Sequence, residues 1–299
     1  PLLPISRSVT TGCRFVVYMV NFSRRLDELP LLSEAQEYRF SWPGDQICQV
    51  AFVSSKSKLV KRLAETKKRQ QPKAKLQTAD LNGEIVVAHC ANPGAMTGLN
   101  APDSEVWLSA NRNPKAKLDW RWELIRVGDH LVGINTAHPN GIVAEAIEAG
   151  HIPALAGYGS MRREVKYGQN SRIDILLEDQ DKPPCYVEVK NVHLKRDLPG
   201  REGAAEFPDA VTKRGAKHLV EMSEMVRQGA RAVMVYLVQR GDCDHFRVAE
   251  DVDPAYASAL AEARECGVEA ICYDCSVGVE EIAVATSLPL KLEERHVRE

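Results

Sequence analysis

The amino-acid sequence predicts an α/β protein of two domains, a small β-barrel followed by a domain in which helices cover a sheet. Three observations predict it: closely spaced short strands between residues 75 and 135, an apolar strand between two helical segments after residue 208, and a length of 299 residues. A chain of this length can form two domains, each with its own core. Closely spaced strands favour a barrel, and a strand between helices favours a buried, partly parallel sheet.

Composition is that of an ordinary globular protein, 44% hydrophobic and 27% charged, and no apolar run approaches the ~20 residues of a membrane-spanning helix. The cysteines have no regular spacing and no clear secretory signal is present, so we expect a reducing compartment, the cytoplasm. Cys272 and Cys275 have zinc-like spacing, but without a second pair nearby we interpret them as strand cysteines. The net charge of -2 means that any polyanion-binding surface must come from local clustering.

Residues 1–55 form an unassigned leader without sustained hydrophobic periodicity. Two interpretations of this leader stay open, an organelle transit peptide and a mis-assigned or poorly ordered segment. A basic arm follows over residues 56–75, where lysine and arginine face only one acid, Glu65. This arm either contacts phosphates or is a solvated linker.

We assign residues 56–140 to the basic arm and an OB-like barrel, with strands at 75–80, 84–90, 105–109, 120–127 and 131–135 separated by Asn-Gly, Pro-Gly and Gly-Asp turn signals. Small barrels of this class bind oligonucleotides through a basic groove and stacked aromatic rings. The candidate DNA-binding residues here are Arg112, Lys115, Lys117 and Arg121, which lie near Trp107, Trp120 and Trp122. The tryptophans are either stacking platforms or barrel core.

We assign residues 141–295 to the α/β domain, which begins after a short linking helix at 142–149 that ends at Gly150. The pattern predicts strands at 163–167, 172–177, 186–192, 232–239 and 269–274, with helices at 208–228 and 255–266. The apolar strand 232–239 between two helices predicts a buried sheet with helical cover.

The residues most informative about chemistry are Asp174, Glu188 and Lys190. Side chains alternate across a strand, so Glu188 and Lys190 share one face, and a polar turn at 178–184 predicts an antiparallel hairpin that brings Asp174 beside Glu188. Facing carboxylates repel unless a cation lies between them, and their oxygens are ligands that Mg²⁺ or Mn²⁺ prefers. The alternative is the polar face of a hairpin with a surface Glu188–Lys190 ion pair.

Under the metal interpretation, Asp174 and Glu188 are metal ligands, and Lys190 orients the attacking water or neutralises developing charge. Glu164, on the preceding predicted strand, is a candidate for a further acidic ligand. The following helix carries Lys213, Arg214 and Lys217 with His218 in its first turns, at a spacing that stacks neighbours at i and i+4. We predict that this helix grips a phosphate backbone.

Ordered motifs over about 210 residues resemble the sugar fermentation stimulation protein (SfsA) family. In the first half they are AHCANPGAM at 88–96, NPKAKL at 113–118 and VGINT at 132–136; in the second half they are REVKYG at 163–168, SRID at 171–174, YVEVKNV at 186–192 and FPDAVT at 207–212. The resemblance implies an OB-like N-terminal domain, a PD-(D/E)XK nuclease-like C-terminal domain, DNA binding and a role in the regulation of sugar utilisation. It places the nuclease motif on Asp174, Glu188 and Lys190 without substitution.

Three functions stay open at this point. The first is a DNA-binding protein with a metal-dependent nuclease centre, and the second is a DNA-binding regulator that keeps the fold without catalysis. The third is an enzyme acting on a small phosphorylated substrate. No paired short helices with a basic second helix are evident, so we expect DNA binding without strong sequence specificity.

Overall fold

The computed structural model describes residues 47–53, 75–81, 84–101, 104–111, 113–168 and 171–292. These residues form two compact units. The first contains the described residues up to 93 together with 99–135 and 278–281, and the second contains 94–98, 136–277 and the described residues from 282 onwards. None of the described helices has the length and apolar character that crossing a lipid bilayer requires.

The first unit is the barrel that the sequence predicts. Its six-stranded sheet has the order β3-β2-β1-β4-β5-β6, and an additional parallel pairing between β3 and β5 closes the sheet on itself. The strands are β1 Ile47–Val53, β2 Lys75–Leu81, β3 Glu84–Cys90, β4 Glu105–Ala110, β5 Trp120–Val127 and β6 His130–Gly133. The β3–β5 pairing, at Ala88–Trp120 and His89–Arg121, shortens the open edge of β3, and β6 remains at the edge of the sheet.

Strand β1 is the main departure from the sequence prediction in this unit, because it lies within the segment assigned to the leader. It pairs antiparallel with β2 and β4, and its register with β4 places Ile47 opposite Ser109. Pro43 and Gly44 form a turn signal just before this strand, but that signal does not identify the partner strands, which are distant in the chain. The basic arm lies outside the described residues, apart from Lys75, which begins β2.

Two of the three tryptophans near the basic residues belong to the barrel core. Trp122 is 1% exposed and its indole N–H donates to the Leu124 carbonyl oxygen at 2.8 Å, and Trp107 is 5% exposed. Buried rings cannot stack on bases, so the base-stacking interpretation is wrong for Trp107 and Trp122. Trp120, at the start of β5, is partly exposed.

The second unit has the mixed sheet and helical cover that the sequence predicts. Its six-stranded sheet has the order β14-β13-β11-β9-β8-β7, in which β9, β11 and β13 run parallel and β7, β8 and β14 pair antiparallel with their neighbours. The strands are β7 Ser160–Tyr167, β8 Ser171–Glu178, β9 Cys185–Val192, β11 Arg231–Val238, β13 Glu269–Val277 and β14 Ile282–Ser287. A separate parallel pair consists of β10 Ala204–Phe207 and β12 His245–Val248.

The helices of the second unit are α1 Pro139–Glu148, α2 Lys213–Arg227 and α3 Pro254–Glu265, with a short 3-10 helix at Pro153–Leu155. The core lies around β11, whose residues from Ala232 to Val238 are all buried. Tyr236 stacks on Phe246 with ring centroids 4.2 Å apart, and its hydroxyl hydrogen-bonds that of Tyr256 at 2.7 Å. An apolar strand with parallel neighbours on both sides explains this complete burial.

Helix α2 begins at Lys213, five residues later than the predicted start at Pro208. Thr212 caps the helix, since its side-chain oxygen accepts the Gly215 backbone N–H at 3.1 Å. The next helix, α3, is capped by Asp253, which accepts the Tyr256 N–H at 3.0 Å. The other oxygen of Asp253 accepts the Thr212 N–H at 2.7 Å, so one carboxylate holds the starting residues of both helices.

Asp209 explains the glycine of the NPGAM motif. It accepts a hydrogen bond from the Met96 N–H at 3.3 Å and lies 3.5 Å from His193 Nε2. A side chain on Gly94 would place its Cβ 2.1 Å from Asp209 Oδ2, so only glycine allows this close approach. Two segments that carry the family resemblance are therefore in direct contact within the second unit.

We predict that Phe246→Ala lowers the free energy of unfolding by about 3–5 kcal/mol, because it leaves a cavity beside Tyr236. The matched control is Val220→Ala, which removes an apolar side chain that is 63% exposed on α2 and should change stability by less than about 0.5 kcal/mol. Urea unfolding followed by circular dichroism measures both values. Equal effects of the two substitutions would contradict this description of the core.

Candidate metal centre

Asp174 and Glu188 occupy facing positions on neighbouring antiparallel strands. The β8–β9 register pairs Ile175 with Val187, and one further step along each strand places Asp174 opposite Glu188. The Val189 backbone N–H donates to Asp174 Oδ2 at 2.8 Å, which ties the Asp174 side chain to β9 beyond the last paired residues. The hairpin geometry expected from the sequence is therefore present.

Glu188 is a buried carboxylate, only 3% exposed. Its Oε1 accepts hydrogen bonds from Lys190 Nζ at 2.7 Å and from His218 Nδ1. Burial alone would raise the pKa of Glu188, but the His218 hydrogen bond and the Lys190 charge together hold it below its ordinary value. The Glu188–Lys190 pair is thus not a surface ion pair, and Glu188 stays ionised at neutral pH.

The second oxygen of Glu188 has a different environment. Oε2 is buried and has no hydrogen-bond partner among the described residues. A buried carboxylate oxygen without a partner costs free energy unless a cation or a proton donor reaches it. The Tyr167 hydroxyl is also buried without such a partner, and burial followed by the charge of Glu188 raises the pKa of Tyr167, so the phenol keeps its proton.

The pKa of Asp174 is shifted in the opposite direction to that of Glu188. Burial and, next, the negative charge of Glu188 raise the pKa of Asp174 to about 6, although the Val189 N–H and the Asn140 amide both donate to it. Asn140 Nδ2 lies 2.8 Å from Asp174 Oδ1. Burial and the charge of Glu188 together therefore outweigh the groups that stabilise ionised Asp174.

Asn140 was not identified as a site residue by the sequence analysis. It is the second residue of α1, after Pro139 at the helix start, and its Nδ2 lies 3.5 Å from Glu164 Oε1 as well as 2.8 Å from Asp174. One amide group therefore bridges two acids on neighbouring strands. The Pro-Asn pair at the helix start was a signal for a helix boundary, but nothing in the sequence indicated what Asn140 contacts.

Glu164 lies on β7 at the position facing Asp174. The β7–β8 register pairs Arg163 with Ile175 and Val165 with Ile173, which leaves Glu164 across from Asp174. Its φ of 54° is in the left-handed region, which a non-glycine residue adopts at a cost of about 1–3 kcal/mol. Glu164 is exposed, so the structure places it at the edge of the centre with its carboxylate accessible.

His218 has a different place from the one predicted for it. It was grouped with the cations of α2 as a phosphate contact, but it is 3% exposed and bonds Glu188 on one side and Arg214 on the other, with Arg214 Nε 3.2 Å from His218 Nε2. The helix turns this position towards the sheet, so the phosphate-gripping prediction is wrong for His218. The i,i+4 contact expected between Arg214 and His218 is present.

The remaining predicted DNA-binding residues divide by unit. On α2, Lys213, Arg214 and Lys217 are exposed, and Lys217 Nζ lies 3.4 Å from Glu221 and 3.3 Å from Ser171 Oγ. In the first unit, Lys115 and Lys117 are exposed, and Arg121 Nε lies 3.6 Å from Glu123 Oε1. Arg112 lies outside the described residues.

The donor set fits a hard divalent cation, although no group of three or more His, Cys, Asp or Glu close enough to hold a metal occurs in the described part of the chain. Asp174 and Glu188 provide carboxylate oxygens, one of which, Glu188 Oε2, is buried without a partner. Magnesium and manganese bind through one or two carboxylates and keep several waters. A bound cation would also relieve the repulsion that raises the pKa of Asp174.

We predict that Asp174→Asn raises the free energy of unfolding of the metal-free protein at pH 7 by about 1–3 kcal/mol. The folded-state pKa of about 6 is above the ordinary value near 4, so ionised Asp174 destabilises the fold at neutral pH. The stability of the unsubstituted protein should rise as pH falls from 7 towards 5. Urea unfolding in a chelator at several pH values measures this, and a lower stability of the variant at pH 7 would contradict it.

Comparison with known proteins finds a family model in each of the two parts of the chain. Residues 137–281 match the model described as the sugar fermentation stimulation protein RE domain, and residues 72–134 match the SfsA N-terminal OB domain. These matches confirm the predicted fold class, an OB-like barrel followed by a nuclease-like α/β domain. They cover both units of the structure.

Relatives of known name match over most of their length. The sugar fermentation stimulation protein homolog of Paramagnetospirillum magneticum is 60% identical over 214 residues, which is 72% of this chain and 89% of the relative. That of Rhodospirillum centenum is 58% identical over 209 residues, 70% of this chain and 88% of the relative. The structure of Pyrococcus furiosus SfsA in complex with Ca²⁺ has a TM-score of 0.69 and 21% identity, and the match covers 82% of this chain and 96% of that one. The chain belongs to the sugar fermentation stimulation protein (SfsA) family.

Proposed function

We propose that this protein binds DNA and hydrolyses phosphodiester bonds at a magnesium- or manganese-dependent centre formed by Asp174, Glu188 and Lys190. The observation that carries the proposal is the pair of facing carboxylates, with the Lys190 ammonium 2.7 Å from Glu188 Oε1. The relative from Pyrococcus furiosus was solved in complex with Ca²⁺, another hard cation bound through oxygen ligands. The proposal extends divalent-cation binding to this chain.

Each side chain of the centre has a defined task. Asp174 and Glu188 would hold the cation, which polarises a phosphate and lowers the pKa of a bound water. His218 and Lys190 fix Glu188 Oε1, and Oε2 is left without a hydrogen-bond partner among the described residues. The Lys190 side chain is 13% exposed, so its Nζ can turn from Glu188 to the phosphate and offset the negative charge of the transition state.

DNA is the proposed partner because exposed cations accompany the centre. Lys213, Arg214 and Lys217 occupy the first turns of α2, the helix that also supplies His218 to Glu188. Contacts from lysine and arginine to phosphates give affinity without reading base identity. We therefore propose binding without strong sequence preference.

We also propose that Glu164, beside Asp174, is a third acidic group near the cation.

The family name suggests a biological context. The relatives are called sugar fermentation stimulation protein homologs, and we propose that DNA binding by this chain contributes to the regulation of sugar utilisation. Binding to DNA could serve that role with or without strand cleavage. The experiments below separate the two.

We predict cleavage of single-stranded, duplex or branched DNA that requires Mg²⁺ or Mn²⁺ and falls at least about 100-fold in Asp174→Asn and in Lys190→Ala. Affinity for DNA in a chelator should change little, because the exposed cations of α2 provide most of the affinity and Lys190 acts on the phosphate in the transition state. Gel assays of labelled substrates measure cleavage, and fluorescence anisotropy measures binding. Glu178→Gln, a carboxylate substitution on the same strand outside the centre, is the matched control and should cleave normally.

The outcomes distinguish the three functions. Loss of cleavage with retained binding in both centre variants supports the nuclease. DNA binding without cleavage by any protein, including the unsubstituted one, leaves a DNA-binding regulator. Weak binding that does not respond to salt would favour a small phosphorylated substrate instead.

We predict that Mn²⁺ at about 100 times its dissociation constant stabilises the protein by about 2.7 kcal/mol, because the ion binds the folded state. Asp174→Asn should abolish this stabilisation, and Glu164→Gln should weaken metal affinity by about tenfold if Glu164 reaches the ion or its waters. Isothermal titration gives the affinities and thermal unfolding gives the stabilisation. Equal Mn²⁺ binding by the unsubstituted protein and Asp174→Asn would contradict the assignment of this ligand.

A further inference from the structure

A pair of cations on β7 and β8 belongs neither to the proposed metal centre nor to the proposed DNA-binding residues of α2. The β7–β8 register places Lys166 directly opposite Arg172, and both side chains are exposed. Within the described ranges neither one forms an ion pair with a carboxylate. Like charges directly opposite each other destabilise an antiparallel strand pair. This arrangement therefore has a cost that an anion bound between the two side chains would remove.

The pair lies next to the carboxylate centre. Arg172 is two residues before Asp174 on β8, and Lys166 is two residues after Glu164 on β7. Residues two apart on a strand project to the same face, at a distance of about 7 Å along the strand. Arg172 is thus about 7 Å along β8 from Asp174, and Lys166 is two residues along β7 from Glu164, whose left-handed backbone interrupts the alternation there.

The neighbouring arginine on the same strand is different. Arg162 forms a bidentate ion pair with Glu178 on β8, with Nε–Oε2 and Nη2–Oε1 distances of 2.7 and 2.9 Å. Strand β7 is an edge strand, and charged residues protect edges from pairing with other chains. Edge protection explains why charges occur on β7. It does not explain two opposed cations beside a pair of acids, when a carboxylate neutralises Arg162 a few residues away.

We propose that Lys166 and Arg172 together bind one phosphate of a DNA strand, the phosphate adjacent to the one that lies at Asp174 and Glu188. This inference rests on the proposed DNA-binding function. A phosphodiester between the two cations removes their repulsion and gains charge-assisted hydrogen bonds from the arginine fork and the lysine ammonium. The site deepens the proposed function by fixing where the strand runs next to the centre.

The test uses a double variant that carries both Lys166→Ala and Arg172→Ala. The single variant Arg162→Ala is the matched control. DNA affinity is measured by anisotropy in a chelator at several salt concentrations. The double variant should bind about tenfold or more weakly, and the slope of log affinity against log salt should become shallower by about 0.7–0.9, because one phosphate contact is lost. Arg162→Ala removes a paired cation from the same strand and should leave the slope unchanged.

Three further experiments test whether the double substitution affects folding, whether free phosphate binds at the site, and whether positive charge alone is required. Without DNA, the double variant should melt at the same temperature as the unsubstituted protein or higher, because a repulsion has been removed. Inorganic phosphate at millimolar concentration should raise the melting temperature of the unsubstituted protein more than that of the double variant if a free anion suffices. The charge-preserving exchange Lys166→Arg with Arg172→Lys should restore the salt slope.

The inference is overturned if the double variant keeps the full slope, or if Arg162→Ala loses as much as the double variant does. A lower melting temperature of the double variant would show a structural role and overturn it as well. If the slope falls but the unsubstituted protein cleaves no DNA, the phosphate site stands and the nuclease proposal fails. If the protein cleaves DNA with an unchanged slope, only this inference fails, and if it binds no DNA both fail.

Discussion

The charge of Glu188 is the constraint on which the second unit depends. Taking an ion out of water costs several kcal/mol, and this carboxylate is 3% exposed. Lys190 from the same strand and His218 from α2 compensate it at one oxygen. Because Lys190 lies on a strand and His218 on a helix, α2 has to dock in one position for both to reach Glu188. The core residues of β11 are buried beneath the helix in that position.

Asp174 and Glu164 extend this constraint across three strands. Asp174 faces Glu188 and is joined to Glu164 by the Asn140 amide, so the acids are held by hydrogen bonds that do not remove their mutual repulsion. The left-handed backbone at Glu164 adds strain at the same place. The unfavourable contributions to folding free energy are thus concentrated at one end of a hairpin, in a unit whose core is otherwise well packed. This pattern is expected where stability has been given up for ligand binding.

The centre could be predicted from the sequence as far as its geometry is local. Alternation along β9 put Glu188 and Lys190 on one face, and a short polar turn brought Asp174 opposite, because both rules act over fewer than twenty residues. Asn140 and the true place of His218 could not be predicted, since helices that lie 34 and 30 residues away deliver them. Strand β1 was missed for the same reason: its pairing with β4 is made across the whole basic arm. Burial of Trp107 and Trp122 follows only from barrel closure.

Asp253 influences a part of the second unit that is distant from it in the chain. This carboxylate caps α3 and also holds the Thr212 N–H, and Thr212 in turn caps α2. His218 is in the second turn of α2. The orientation of its ring towards Glu188 therefore depends on Asp253, which is 35 positions further along the chain. The candidate metal centre and α3 therefore both depend on the Asp253 carboxylate. Under the proposed function, a substitution at Asp253 would change the metal affinity without altering either proposed metal ligand, Asp174 or Glu188.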